Sequence, residues 1–434
     1  MSIILKNGII VNPDLPPHRA DIMIKSGKIS KIGKIKNGDD ENILDISGNY
    51  VFPGVIDMHS HLREPGDFKI INIETQTYAA VSSGITRVVA MPNTDPVCDN
   101  LATYKKINKI INKKAYCKVN QVIAGSKELS GEKYLEFDKF DNLLAVSDDG
   151  KSIDRSDILE NIFENVKKEK LVYLSHAEDM NLRKNGVVNS GIVSKKFDLD
   201  GINGEVEDIR TYRDAAVAGI VDNKLHFCHL STEESLKIVE KFKKKGFRIT
   251  CEVTPHHIAL CEEDIDKNDG NYKMNPPLRS KRDQNYLIQG IKKGSVDVIA
   301  TDHAPHPMKD KTIGLKNSSF GIIGFETFLP IILDLLHYKN AISLSKIAKL
   351  ISFNPAKILN LEKNGLLKKG YNADLTVINM NKKFNFTKDN VKSKTYNSPF
   401  IGKRFQGTPI YTVVDGKIFD IERGSWYDTK ESSN

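Results

Sequence analysis

Eight short segments rich in apolar and β-branched residues, most of them separated by helical patterns, constrain this chain more than any other feature. They are VIDMHSH (55–61), TRVVAMPN (86–93), CKVNQVIAG (117–125), NLLAVSDD (142–149), LVYLSHA (171–177), LHFCHLS (225–231), FRITCEVT (247–254) and DVIATDH (297–303). Stretches between them, such as LATYKKINKIINKK, EVEDIRTYRDAAVAGIV and TEESLKIVEKFKKKG, carry apolar residues at helical spacing. Eight strand and helix units over about 250–300 residues specify a (β/α)8 barrel. The two ends read differently. Residues 1–35 and 373–420 alternate as short strands, with turn signals at Asn7-Gly8, Ser26-Gly27 and Asp415-Gly416. The expectation is an α/β chain: a TIM barrel over 53–360, and a small discontinuous β-sandwich domain formed by 1–52 and 361–434. The polar tail DTKESSN is expected to fray.

Barrels of this kind carry their catalytic groups at the C-terminal ends of the strands. The unusual residues of this chain fall there. His59 and His61 end the first strand, Asn93 the second, Asp148-Asp149 the fourth, His176 the fifth, His229 the sixth and Asp302 the eighth. Side chains two apart on a strand share a face, so Asp57, His59 and His61 should point together. Two imidazoles aimed together can hold one divalent ion. A catalytic zinc site needs further ligands and an open position for water, so two histidines alone are incomplete. An isolated HxH reads equally well as a hydrogen-bonded pair. Six potential ligands converging from five strand ends are what turn it into a metal-dependent hydrolase.

The neighbouring residues divide into candidates and bystanders. Adjacent strand residues face opposite ways, so one of Asp148 and Asp149 is the ligand, and position alone favours Asp149 only weakly. Lys151 is the residue that could, if carbamylated, bridge two metals, but it lies beyond Gly150 in the loop. His229 is nearer its strand end than His226, which is expected to pack outward or to be a satisfied buried histidine. His256 and His257 of TPHH carry less weight, and His18 and His337 lie outside the mouth. Asp57 is either a hydrogen-bond partner one layer below the histidines or a buried structural carboxylate. Asp302 is the general-base candidate, since a carboxylate beside the nucleophile can take its proton and return it to a leaving nitrogen. Arg63 offers a planar fork suited to a carboxylate, with Asn93 and His306 as added donors. The loop 303–320 is either a lid over the substrate or an ordinary surface loop.

Composition sets the outer limits. The chain has 434 residues, 39% hydrophobic and 28% charged, with no run near the roughly 20 apolar residues that span a bilayer. Five scattered cysteines without CxxC spacing, and an N-terminus without signal-peptide character, place the expectation in the cytoplasm. The net charge of +8 is spread over helix faces without a nucleic-acid-binding motif, so neither a nucleic-acid nor a membrane partner is expected; an anionic small substrate is.

The set PGVIDMHSHLREPG, VVAMPNTDPV, SDDG, SHAED, HFCHLST, EVTPHH, YKMNPPLR, ATDHAPH and SFGIIGFET, over about residues 50–380, resembles the dihydroorotases of the bacterial class I type, in the amidohydrolase superfamily. HxH marks the superfamily alone, whereas HLREPG with MPNT, KMNPPLR and ATDHAPH is far more specific. The resemblance implies two zinc ions per subunit: His59, His61 and Asp302 around one, His176 and His229 on the other, and Asp149 on both. It implies substrate contacts from His61, Arg63, Asn93, Asn275, His306 and the Phe320-Gly321 backbone. The implied reaction is the reversible cyclisation of N-carbamoyl-L-aspartate to L-dihydroorotate in pyrimidine synthesis, with metal-activated hydroxide as nucleophile and Asp302 as acid and base. A homodimer and an association with aspartate carbamoyltransferase are implied in the same way. Aspartate in place of a carbamylated lysine counts against the rival cyclic amidases, allantoinase and hydantoinase. Retention of every ligand counts against a non-catalytic scaffold.

Overall fold

In the computed structural model, residues 2–36 and 42–427 are described; the tail DTKESSN lies outside the described residues. All eight apolar segments form strands, each shorter than its apolar run: Val55–Ser60, Ile85–Ala90, Lys118–Gln121, Ala145–Ser147, Val172–Ser175, Leu225–Phe227, Ile249–Val253 and Val298–Ile299. Neighbours pair in parallel in chain order. Parallel bridges from Ile123 to Val146 and from Ser60 to His303 complete the ring. The product is a closed (β/α)8 barrel. The strands stop early because the chain bends as it leaves the ladder. His229 and Asp302, just past their strands, have φ of 32° and 48°, a left-handed conformation that costs an L-residue roughly 1–2 kcal/mol.

Helix faces explain the outer layer. Helix Ser156–Lys168 buries Ile158, Leu159, Ile162, Phe163 and Val166, a stripe at helical spacing, and the Phe163 ring meets Tyr173 of the fifth strand edge-on. Helix Glu233–Lys244 is capped by Thr232, whose hydroxyl accepts from Ser235 N. Its first turn holds Glu233 and Glu234 and its last Lys241, Lys243 and Lys244, the charge order that suits the helix dipole. Inside the ring, Met58, Met91, Val122, Leu174 and Val298 pack with Ala356 and Leu359 into a separate apolar cluster, so the barrel is filled beneath its mouth.

Both chain ends join one nine-stranded sheet. Tyr50–Pro53 is the seam, parallel to Ser2–Ile10 and antiparallel to Leu375–Asn385. Ser26-Gly27 and Asp415-Gly416 make tight turns with positive φ at both residues, as type I′ hairpins require. Asn7-Gly8 departs from the expected turn. Strand Ser2–Ile10 runs straight through it, and the positive φ of Asn7 serves a bulge between Leu5 and Gly8. A turn and a bulge need the same left-handed residue, so the dipeptide alone does not separate them. Among the described residues no helix is long and apolar enough to cross a membrane.

Candidate active site

Asp149 stands at the centre of the barrel mouth. Its Oδ1 lies 3.3 Å from His59 Nε2, 3.5 Å from His176 Nδ1 and 3.7 Å from His229 Nε2, and its Oδ2 lies 3.4 Å from His61 Nε2. Asp302 Oδ1 lies 3.1 Å from His61 Nε2 and 3.6 Å from His59 Nε2. All six side chains are buried. The structure thus brings together the six residues singled out as ligands. It also separates the aspartate pair: Asp148 accepts from Gly125 N, Ser126 N, the Ser126 hydroxyl and the Tyr173 hydroxyl, and is fully engaged on its own side. Lys151 is exposed.

The imidazoles are held by groups behind them. His59 Nδ1–H donates to Glu252 Oε1 at 2.9 Å, His176 Nε2–H to Glu178 Oε2 at 2.9 Å, and His61 Nδ1–H to Asn93 Oδ1 at 2.9 Å. A carboxylate or amide oxygen can only accept, so a proton is on that nitrogen and the other ring nitrogen is turned to the centre, where it offers a lone pair once a cation displaces any proton it carries. Glu252 accepts a second bond from His226 Nε2 at 3.1 Å, while His226 Nδ1 faces the Thr250 hydroxyl at 2.8 Å. His226 therefore belongs beneath the site as a satisfied histidine and does not pack outward on a helix. Glu252 and Glu178 lay in the motifs EVTPHH and SHAED without an assigned role. The available signal was a charged glutamate inside the strand-forming run ITCEV.

Two buried atoms test whether a cation suits the centre. His59 Nε2 and Asp149 Oδ1 have no hydrogen-bond partner among the described residues, although they face each other. His59, His61 and Asp302 form one group able to hold an ion, and His59, Asp149 and His229 another. A third group pairs His59 with Cys228 and Glu252. It is a poor alternative, because burial raises the Cys228 thiol away from the thiolate a metal needs and Glu252 is occupied by two histidines. Burial opposes charge on every group here. Even so, Asp149 holds His59 well above the ordinary imidazole range, and Asp149 with Glu178 pushes His176 up to about 10. Against the same burial, His59 holds Asp149 and Asp302 far below the carboxylate range. A field this negative calls for positive charge, and nitrogen and oxygen donors at these positions fit divalent ions.

Opposite the ligands lies a second set of groups, on loops. Arg63 Nη2 lies 3.1 Å from His306 Nε2, which is also 2.8 Å from the Phe320 carbonyl. Arginine only donates and a carbonyl only accepts, so one tautomer of His306 serves one of them at a time. Burial, with Arg63 nearby, holds His306 well below the usual imidazole range and so neutral. Burial also lowers Arg63 to about 10, which leaves it charged at neutral pH, and its Nε is buried without a partner among the described residues. Asn275 Nδ2 donates to Glu178 Oε2 at 2.9 Å. Gly321 has φ of 116°, and a Cβ there would lie 2.5 Å from Ala304 Cβ, so only glycine fits.

The remaining candidates are structural or peripheral. Asp57 accepts from Thr301 N at 2.7 Å and the Thr301 hydroxyl at 2.6 Å, tying the first strand to the end of the eighth. His257 is satisfied by the Thr254 hydroxyl and the Pro276 carbonyl. His256 is buried, and its Nε2 has no partner among the described residues. His18 is exposed and His337 bonds the Ile342 carbonyl.

Comparison with known proteins agrees with this geometry. Solved structures share the fold: L-hydantoinase from Arthrobacter aurescens has a TM-score of 0.84 at 23% identity over 96% of both chains. Dihydropyrimidinase from Brevibacillus agri NCHU1002 has 0.82 at 21%, over 97% of this chain and 95% of that one. Curated relatives named dihydroorotase are closer in sequence. One from Elusimicrobium minutum is 38% identical over 98% of this chain and 99% of its own, and one from Bacillus cytotoxicus 36% over 96% and 98%. Residues 50–419 match the model of the amidohydrolase family. The chain belongs to the amidohydrolase family and, within it, to the dihydroorotases.

Proposed function

We propose that this chain interconverts N-carbamoyl-L-aspartate and L-dihydroorotate, with two zinc ions at the barrel mouth. The observation that carries the reading is a six-residue cluster centred on Asp149 with the charged guanidinium of Arg63 in the field of Asp302 and Asp149 beside it. His59, His61 and Asp302 would hold one ion, His176 and His229 the other, and Asp149 both. Bound there, the ions would polarise the amide carbonyl and make a water acidic enough to react near neutral pH.

The chain's own groups do the rest. Arg63 would pair with the substrate carboxylate, and Asn93, its oxygen already taken by His61, would add its amide N–H. His306 and the Phe320-Gly321 backbone would close the same side, and Asn275 would approach from beside Glu178. These contacts would hold the amide carbon toward the ligand cluster, the positioning that a near-attack conformation needs. Asp302, beside His61, takes the proton of the attacking water and delivers it to the departing ring nitrogen. Cyclisation removes one negative charge and consumes a proton, so acid favours ring closure and alkali favours hydrolysis.

Asp149 at the centre and Lys151 in solvent favour this reading over hydantoinase or allantoinase chemistry built on a carbamylated lysine. A homodimer with aspartate carbamoyltransferase as an associated enzyme, as the resemblance implies, and a place in the cytoplasm, as the scattered cysteines favour, complete the proposal. The deciding experiment is dihydroorotate hydrolysis by metal-quantified protein, repeated after chelation and zinc restoration, beside hydantoin and allantoin. Activity on dihydroorotate that follows the metal is expected. Turnover of hydantoins with none of dihydroorotate overturns the assignment.

A further inference from the structure

Outside the ligand cluster, the most completely buried cation is Lys311, at 0% exposure, in the loop that follows the eighth barrel strand. Its ammonium donates to three backbone carbonyls: Lys273 at 3.0 Å, Ser319 at 2.7 Å and Gly321 at 2.8 Å. An ammonium has three protons, so its capacity is filled. The acceptors are not scattered. Ser319 and Gly321 bracket Phe320, and Lys273 lies two residues before Asn275. One side chain thus joins two loops assigned to the substrate.

Other contacts converge on the same peptide. Gly321 N donates to Lys273 O at 3.0 Å, and Asn397 Nδ2 donates to Gly321 O at 3.2 Å. Two cations approach the Phe320 ring, Arg183 at 4.7 Å and Lys273 Nζ at 4.5 Å from its centroid. The Phe320 carbonyl faces His306, and His306 faces Arg63. Close contacts thus lead from Lys311 through the Phe320 peptide to His306 and Arg63, the groups that would clamp the substrate carboxylate, with His306 Nε2 bonded to one of its two neighbours at a time.

We propose that Lys311 is a positioning residue: its ammonium fixes the Phe320-Gly321 peptide and, through His306, the carboxylate clamp, and so sets substrate affinity and leaves the chemical step to the metal side. The inference rests on the dihydroorotase reading above. Two of the three carbonyls keep another donor when Lys311 is removed, Gly321 N for Lys273 O and Asn397 for Gly321 O. Only Ser319 O loses its side-chain donor outright. The loop should therefore stay folded but lose its register.

The test compares wild type, Lys311→Met and Lys311→Ala in dihydroorotate hydrolysis below about pH 7, where the Lys311 side chain keeps its charge, with metal content and melting temperature measured alongside, and propylamine titrated into the alanine variant. KM is expected to rise about tenfold in both variants, the scale of one lost charged hydrogen bond, with kcat within about threefold. Propylammonium should lower the KM of Lys311→Ala, and propan-1-ol should not. An unchanged KM, whether or not kcat falls, makes Lys311 a purely structural residue and overturns the inference. A raised KM that propylammonium leaves in place assigns the effect to general loosening and overturns it as well. If Lys311→Met does not fold, the alanine arm decides by the same two criteria. A metal-loaded wild type inactive on dihydroorotate overturns the functional reading and this inference with it, whereas an active wild type with insensitive variants overturns this inference alone.

Discussion

On one side of the mouth, His59, His61, Asp149, His176, His229 and Asp302 stand at or just past strand ends, and carboxylates hold two of the imidazoles from behind. On the other side, Arg63, Asn275, His306 and Phe320 stand on loops and are held by polar ties that cross from loop to loop. The metal half takes its precision from the barrel, where strand spacing is set by the hydrogen-bond ladder. The substrate half has no ladder, and its shape depends on a few side chains that reach backbone carbonyls. A change in the first half should therefore alter turnover or metal retention, and one in the second should alter recognition.

The largest effect is expected at Asp302. Asp302→Asn should keep most of the metal and lose turnover by about 10²–10⁴-fold, the span of a missing acid and base. Single-turnover kinetics on protein of measured metal content check this, and near wild-type turnover would remove the proton shuttle. Next comes Glu252→Gln, which keeps the shape but weakens the acceptor for both His59 and His226. Metal affinity is expected to drop about 10–100-fold, read by competition with a chelator. Unaltered affinity would mean that the barrel alone orients His59. In the substrate half, Arg63→Met should leave metal content as it is and lower kcat/KM for dihydroorotate about 10–100-fold, as expected for one charged hydrogen bond. Equal kcat/KM in variant and wild type would place the carboxylate elsewhere.

The same contrast decides what could be read from the chain beforehand. The ligands are legible because a polar residue at the end of an apolar, β-branched run is conspicuous, and eight such runs define one mouth. Glu252 was hidden because its partner His59 lies 193 residues away, and no local pattern announces that pairing. The outward option for His226 failed for the same reason, since Glu252 supplies an inward partner. Asn7-Gly8 looked like a turn because bulge and turn share a backbone requirement. The loop 303–320 read as either a lid over the substrate or an ordinary surface loop. Neither reading contained its complete burial of Lys311 and Leu315, because polarity along the sequence says nothing about carbonyls that fold back to meet an ammonium.

The smallest expected effect separates the two halves by pH. Asp57, the tie behind the metal side, is raised by burial to about 7, against the Thr301 hydrogen bonds that favour its charge. Lys311, the tie behind the substrate side, is lowered by burial to about 7, with the charge of Lys273 adding to the shift. For Asp57 the folded state holds a proton that the unfolded chain releases from about pH 4, so its contribution to stability falls between about pH 4 and 7. For Lys311 the unfolded chain keeps a proton that the folded state has given up, so its contribution rises between about pH 7 and 10.5. Each slope can reach at most about 1.4 kcal/mol per pH unit, the value for a difference of one proton. Urea midpoints measured from pH 4 to 10 on apo-protein should show Asp57→Asn losing the acid-side slope alone and Lys311→Met the alkaline-side slope alone. If both variants shift the curve equally at all pH values, the ties act through packing, and the two halves of the mouth are not electrostatically distinct. If the slopes separate as stated, the metal half gains stability from its tie on the acid side and the substrate half on the alkaline side, which makes neutral pH the point where neither is favoured at the expense of the other.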